Sequence, residues 1–167
     1  IGDSGTILTS SNGTTWTSRT SGISYNLNGV IYGNSTFVAT GDSGTILTSS
    51  DNGSTWTSRI FTYDNGSTTN YTTNSLNDIT YGNSTFVATG SSGTILTSTN
   101  GTSWDNGTSG ISNSLYGVTY GNSTFVATGD SGTILTSSDN GTTWTSRTIT
   151  YDNGTTTNYT TNALNDI

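Results

Sequence analysis

The sequence contains no cysteine, histidine, lysine or glutamate, and only three of its 167 residues are basic. Without cysteine it has no disulfide framework and no thiolate metal site. Its ten acidic residues are all aspartate, and the net charge is −7. So few basic residues cannot form the patch that nucleic acids and anionic membranes require, and no apolar run is long enough to span a bilayer. We therefore predict no nucleic-acid partner and no membrane insertion.

Hydrophobic residues are also scarce, at 28% of the chain, while only 8% of residues are charged. The Ile, Leu, Val and aromatic residues recur at fixed spacings, which indicates a folded chain rather than a disordered one. Thr, Ser, Asn and Gly fill the positions between them, and this mixture favours strands and tight turns. The composition therefore predicts an all-β fold.

Four equivalent glycines mark an internal repeat: Gly2, Gly41, Gly90 and Gly129. Their spacings of 39, 49 and 39 residues show that short and long units alternate, so the larger unit spans 88 residues. Such a period is typical of propellers and solenoids. We predict that residues 1–167 form a single repeat array.

Each unit contains four short apolar segments separated by Gly- and Asn-containing turns. In one unit these are LNDITYG (76–82), STFVATG (84–90), GTILTS (93–98) and a segment around Trp104. Four strands in about 40 residues is the size of one propeller blade. We therefore predict a β-propeller of four-stranded antiparallel blades, as part of a larger or oligomeric assembly, with an open β-solenoid as the alternative.

The strand count leaves one edge unpaired. The chain begins in a third strand and stops inside a first strand, so four third strands have only three second strands to pair with. Because natural sheets rarely leave an edge bare, we expect the strand at 5–10 to pair with an STFVATG strand from another copy or from a continuing chain.

Two segments, SSDNGSTW (49–56) and SSDNGTTW (137–144), resemble the Asp-box, also called the bacterial neuraminidase repeat. With the preceding GDSGTIL, the unit is similar to the propeller repeat of the photosystem II assembly factor family. This resemblance implies a loop between the third and fourth strands whose Asp turns back on the loop backbone and whose Trp packs in the blade. The residues so implied are Asp51, Trp56, Asp139 and Trp144. The short units lack the Asp, and we expect a two-residue Asn-Gly turn there.

Catalysis lacks the groups it needs. Gly-Asp-Ser-Gly around Ser43 resembles the surroundings of a protease nucleophile, but a serine nucleophile needs a base, and the motif recurs at turn positions. Sialidase chemistry would need glutamate and clustered arginines, whereas the three arginines occupy one position in different units: Arg19, Arg59 and Arg147. No acidic residue completes a calcium loop. We predict a protein that is not an enzyme and has no cofactor or metal.

Twelve asparagines fit the N-glycosylation pattern Asn-X-Ser/Thr. A chain rich in Asn, Ser and Thr also produces such triplets by chance, and turns select Asn-Gly, so both interpretations stay open. The candidates are Asn12, Asn34, Asn52, Asn65, Asn70, Asn83, Asn100, Asn106, Asn122, Asn140, Asn153 and Asn158.

The long units carry an insert at 60–74 that returns at 149–162. It reads as an extra hairpin whose aromatic side chains either contact sugars or a neighbouring subunit, or pack onto the next blade. The candidate interaction residues are Phe61, Tyr63, Tyr71, Tyr151 and Tyr159.

We predict a non-enzymatic extracellular or cell-surface structural protein that self-associates through its repeat strands as a filament subunit, with other copies of itself and glycans as partners. The alternative is a carbohydrate- or protein-binding recognition propeller. A third hypothesis, an assembly factor like the photosystem II family, is weakened because three arginines cannot form the basic patch expected of that family.

Overall fold

The computed structural model describes residues 1–59, 63–64, 69–70, 72–148, 151–152, 157–158 and 161–167. Its described strands form three four-stranded antiparallel sheets, one two-stranded sheet and two short hairpins. We call the four sheets blades 0 to 3 in chain order. Blade 0 has only the two outer strands of a unit, β1 (Ile7–Thr9) and β2 (Thr17–Arg19).

The three complete blades share one strand order, from the inner strand to the outer one. Blade 1 contains β3 (Leu27–Gly33), β4 (Thr36–Gly41), β5 (Ile46–Ser49) and β6 (Thr57–Arg59). The hairpin strands β7 (Tyr63–Asp64) and β8 (Thr69–Asn70) follow it. Blade 2 contains β9 (Leu76–Gly82), β10 (Thr85–Gly90), β11 (Ile95–Ser98) and β12 (Asp105–Asn106). Blade 3 contains β13 (Leu115–Gly121), β14 (Thr124–Gly129), β15 (Ile134–Ser137) and β16 (Thr145–Arg147), followed by the hairpin β17 (Tyr151–Asp152) and β18 (Thr157–Asn158).

The inner strands lie side by side, with β9 between β3 and β13. This is the arrangement of strands around a propeller axis, and it confirms the predicted all-β propeller fold. Among the described residues the sheets form part of a ring and do not close it. The same part of the chain contains no helix long and apolar enough to cross a membrane.

The Gly-Asp-Ser-Gly segment forms a tight turn between the second and third strands. Short 3₁₀ turns occupy this place in all four units: Asp3–Gly5, Asp42–Gly44, Ser91–Gly93 and Asp130–Gly132. Ser43 has a φ of 55° and Gly44 a φ of 69°. A Cβ on Gly44 would lie 2.3 Å from the carbonyl oxygen of Thr72, so both the backbone and the packing require glycine. The motif is therefore a structural turn, as its repetition predicts.

The hydrophobic core lies between blades, and each interface uses the same set of positions. Between blades 1 and 2, Val38 and Ile46 of the earlier blade pack against Leu76, Ile79 and Phe86 of the later one. Between blades 2 and 3 the corresponding residues form a second cluster. Because full burial of one such side chain contributes about 1.5–3 kcal/mol, every blade is stabilised by its neighbours.

The expectation that the four tryptophans are equivalent and mostly buried is wrong. Their indole N–H groups all donate to a glycine carbonyl in the same loop, at 2.9–3.2 Å. Trp104 is nevertheless 6% exposed and Trp16 is 58% exposed. Trp104 packs on Phe86 from the second strand of its own blade, with ring centroids 6.4 Å apart. Blade 0 has no second strand, so Trp16 has no such phenylalanine.

The predicted two-residue Asn-Gly turn of the short units is also wrong. Seven residues, 10–16, connect β1 to β2. Within this loop the side-chain oxygen Oδ1 of Asn12 accepts the N–H groups of Thr14 and Thr15, each at 2.9 Å. The amide oxygen of Asn12 thus caps the loop backbone, as the Asp51 carboxylate does in the long unit.

Candidate functional site

One face of blade 1 is uncovered where the other blades are covered. We call this surface the open face and define it as Val30, Tyr32 and Phe37. Val30 is 43% exposed, whereas Ile79 and Val118, its equivalents in blades 2 and 3, are each 4% exposed. Tyr32 is 54% exposed, and Phe37 is half-buried although its equivalents are fully buried. An apolar surface of this kind marks a binding site more often than scattered single residues do.

The open face exists because blade 0 lacks its two inner strands. At the next interface of the same type, Val118 packs in a cluster with Val87 of the second strand and Ile95 of the third strand of blade 2. Blade 0 supplies only Ile7, the equivalent of Ile95. Among the described strands, β1 pairs with β2 alone. The edge of β1 and the open face therefore border one vacant space, as wide as two strands.

Tyr32 is held in the same pose as the covered tyrosines. Its ring centroid lies 4.7 Å from that of Phe37, with an interplanar angle of 50°. The corresponding pairs in blades 2 and 3 have centroids 4.5 and 4.6 Å apart and angles of 48° and 50°. The cross-strand Phe thus fixes the Tyr ring whether or not another blade covers it. A preorganised aromatic side chain loses little entropy when a partner binds.

Two adjoining cavities lie at the outer end of the open face. The smaller has a volume of about 140 Å³ and is lined by the apolar side chains of Ile7, Val30, Phe37 and Trp56, among others. The larger, of about 530 Å³, shares Phe37 with it and is lined mainly by hydroxyl and amide groups. Arg19 borders this larger cavity, and its Nε donates to the hydroxyl of Thr9 at 2.8 Å. An apolar floor beside a polar wall suits an amphipathic segment of chain.

The two loops that resemble the Asp-box lie between the third and fourth strands. Asp51 Oδ1 accepts the N–H of Thr55 at 2.9 Å and the hydroxyl of Ser49 at 2.8 Å, and Oδ2 accepts the Thr55 hydroxyl at 2.7 Å. These donors, the backbone N–H of Thr55 first, lower the pKa of Asp51 to about 2. Asp139 makes the matching contacts with Ser137 and Thr143, and its pKa is also lowered to about 2. All acceptor sites face the loop itself, so these carboxylates fix loop shape.

Trp56 and Trp144, the other two residues implied by that resemblance, are half-buried and donate to Gly53 and Gly141 of the same loops. Within the described residues no group of three or more carboxylates could hold a metal ion.

The insert residues fall at the margin of what the structure describes. Phe61, Tyr71 and Tyr159 lie outside the described residues, and Tyr63 and Tyr151 are described only as backbone within β7 and β17. Their assignment as interaction residues stays a prediction.

Most described asparagines of the glycosylation pattern have turn roles. A left-handed backbone, with φ between 44° and 60°, is adopted by Asn34, Asn52, Asn83, Asn122 and Asn140. Asn12 and Asn100 accept loop N–H groups, and Asn106 lies in β12. Asn65 and Asn153 lie outside the described residues, and Asn70 and Asn158 are described only as backbone. Turn geometry therefore accounts for the recurrence of Asn, and glycosylation stays a prediction.

The residues of the open face are absent from the sequence-based candidates. The available indication was the strand count, which identified the bare edge at 5–10. A missing second strand also means missing cover for the face of the following blade. That second consequence would have pointed to Val30, Tyr32 and Phe37 from the sequence alone.

Comparison with known proteins supports the fold. No protein-family model matches the sequence, and no curated protein matches it. Among solved structures, the chain is similar to YCF48 bound to D1 peptide, with a TM-score of 0.64 and 20% identity over 87% of this chain and 48% of that one. It is also similar to YCF48 from Cyanidioschyzon merolae, with a TM-score of 0.56 and 18% identity over 72% of this chain and 36% of that one. The chain thus spans half or less of these β-propellers.

These comparisons overturn three predictions. YCF48 is a photosystem II assembly factor, so the predicted filament subunit and the extracellular or cell-surface localisation are both wrong. One of these structures is bound to a peptide of a different protein, which contradicts self-association with other copies as the mode of binding. The charge argument against the assembly-factor hypothesis was misplaced, because the propeller fold places no requirement on surface charge.

Proposed function

We propose that this chain is a non-enzymatic, protein-binding propeller segment that receives an extended segment of another protein beside β1. The observation that carries the proposal is the difference in exposure between Val30 and its two equivalents, 43% against 4%. Evolution of a repeat normally covers this position, and here an apolar face adjoins a bare strand edge. Strand addition to such an edge is a common way to bind peptides.

The interfaces inside the protein define the expected geometry. In blade 2, Val87, Ala88 and Thr89 of β10 pair with Thr97, Leu96 and Ile95 of β11. A segment added to β1 in this register would face Thr9, Leu8 and Ile7, which are the same positions one double repeat earlier. Its valine would cover Val30 and Phe37. Main-chain hydrogen bonds would supply affinity, and the open face would select small apolar side chains.

The likeness to a YCF48 structure with a bound D1 peptide favours protein binding over sugar binding. At 20% identity the likeness does not identify the partner. The loops around Asp51 and Asp139 fit the proposal as structural Asp-boxes, since their carboxylates are satisfied within the loop.

The proposal is tested with a peptide that copies residues 83–90, NSTFVATG, titrated into the whole chain by calorimetry. We expect saturable binding. Val30→Asp should abolish it, because a carboxylate would be desolvated in the apolar interface. The matched control is Tyr25→Ser, which changes a side chain of similar exposure, 51%, that lines a different cavity.

Binding that survives Val30→Asp, or that is lost equally in Tyr25→Ser, would place the peptide elsewhere. No binding by the unmodified chain would refute the proposed function.

A further inference from the structure

Resting on the proposed function, we propose that the occupant is a β-hairpin of the partner protein whose inner strand carries the pattern Asn-Asp-x-x-x-Gly. The vacant space beside the open face is two strands wide, so a single strand on β1 would leave Tyr32 uncovered. Three groups of blade 1 would recognise the second strand: the carbonyl oxygen of Leu27, the N–H of Val30 and the ring of Tyr32.

The glycine is required by the tyrosine. At both complete interfaces the Tyr ring of one inner strand lies directly on a glycine of the strand before it. A Cβ on Gly33 would be 2.3 Å from Cγ of Tyr81, and a Cβ on Gly82 would be 2.1 Å from Cγ of Tyr120. Gly121, over which no tyrosine lies, has nothing within 4 Å of that point. Because Tyr32 has the same pose as Tyr81 and Tyr120, it requires the same glycine.

The asparagine and the aspartate are required by the backbone of the inner strand. At the interface between blades 2 and 3, Asn77 Nδ2 donates to the carbonyl oxygen of Leu115 at 2.7 Å. Asp78 Oδ2 accepts the N–H of Val118 at 2.8 Å. Leu27 and Val30 occupy the same positions in β3, one double repeat earlier. β3 has no inner strand before it among the described residues.

The repeat phase selects aspartate over glycine at the second position. Blade 0 and blade 2 are separated by 88 residues and both have the short loop between third and fourth strands. Blade 1, of the other phase, has Gly29 where blade 2 has Asp78, although its Asn28 still donates to Leu76 at 3.0 Å. The open face of blade 1 is therefore equivalent to the face of blade 3, which Asp78 contacts.

The test compares peptides for binding to the whole chain. The parent copies residues 76–90, LNDITYGNSTFVATG, and should bind more tightly than the strand peptide 83–90. Gly82→Ala in the peptide should weaken binding about tenfold or more, because the added Cβ overlaps the Tyr32 ring. Asp78→Ala should weaken it about tenfold, because the N–H of Val30 loses a charged acceptor. Thr80→Ser is the matched control and should change nothing.

A rescue experiment separates this recognition from general loss of fit. The protein variant Tyr32→Ala removes an exposed side chain, so the protein remains folded. It should bind the Gly82→Ala peptide more tightly than the unmodified protein does, since the Cβ then has space.

The outcomes distinguish the two proposals. If the strand peptide binds but Gly82→Ala and Asp78→Ala bind as the parent does, the pattern is refuted and the proposed function stands. If neither parent peptide binds, both fall. Sedimentation that shows the chain pairing with its own copies, with the peptide as competitor, would refute a partner protein as the occupant.

Discussion

Blade 1 and blade 3 present almost the same residues to the blade before them and differ in what covers those residues. Val30 and Val118 occupy one position, yet they are 43% and 4% exposed. The Tyr and Phe rings beside them have the same geometry in both blades. The comparison teaches that each blade builds its own half of an interface without help from its neighbour. Burial, in contrast, is decided entirely by the neighbour.

The largest expected effect compares two tryptophans. Trp104→Ala should cost about 3–5 kcal/mol of unfolding free energy, because a buried aromatic side chain leaves a cavity. Trp16→Ala should cost less than about 1 kcal/mol, since the exposed ring contributes little burial. Denaturant titration of both variants measures the difference. Equal losses would show that blade 0 is covered in solution.

A second comparison uses two glycines of the inner strands. Gly82→Ala should destabilise the fold by about 1–3 kcal/mol, because the methyl group must displace the Tyr120 ring. Gly121→Ala places the same methyl group in open space and should be close to neutral. Thermal unfolding of the pair checks this. A neutral Gly82→Ala would contradict the contact on which the recognition pattern depends.

The sequence predicts the parts of this structure that depend on neighbouring residues along the chain. The inner strands 27–33, 76–82 and 115–121 are located to the residue, because Gly and Asn turns border them. Exposure could not be read in the same way. Trp16 and Trp104 have equivalent sequence surroundings, and only the absence of a second strand in blade 0 separates them. The loop at 10–16 was misjudged because Asn12 replaces an aspartate without shortening the loop.

The third prediction concerns acid. The folded-state pKa of Asp51 is about 2, below its ordinary value of 3.8. A lowered pKa stabilises the folded state above pH 3.8, and that contribution is lost as the pH falls toward about 2. Asp51→Asn, which imitates Asn12 of the short loop, should therefore flatten the loss of stability in this range. Unfolding midpoints measured from pH 5 to pH 2 test this. An unchanged slope would exclude the loop as its source.

The smallest effect has the opposite sign. Burial raises the pKa of Asp78 above 3.8, with a further contribution from the negative charge of Asp166, although two N–H groups donate to it. The ionised carboxylate therefore costs stability at neutral pH, and this cost is relieved as the pH falls through the raised pKa. Relative to Asp78→Asn, the unmodified protein should gain stability between pH 7 and pH 4. Parallel curves for the two proteins in urea titrations would contradict this.

The central claim is that the edge of β1 and the open face are half of a blade interface that waits for a strand. Amide hydrogen exchange tests it most directly, because Ile7–Thr9 can be compared with Ile95–Thr97 in the same molecule. We predict that the amides of β1 exchange faster than their equivalents in β11, and that the peptide 76–90 slows β1 while leaving β11 unchanged. Equal protection in the free protein, or no change in β1 at saturating peptide, would contradict the account.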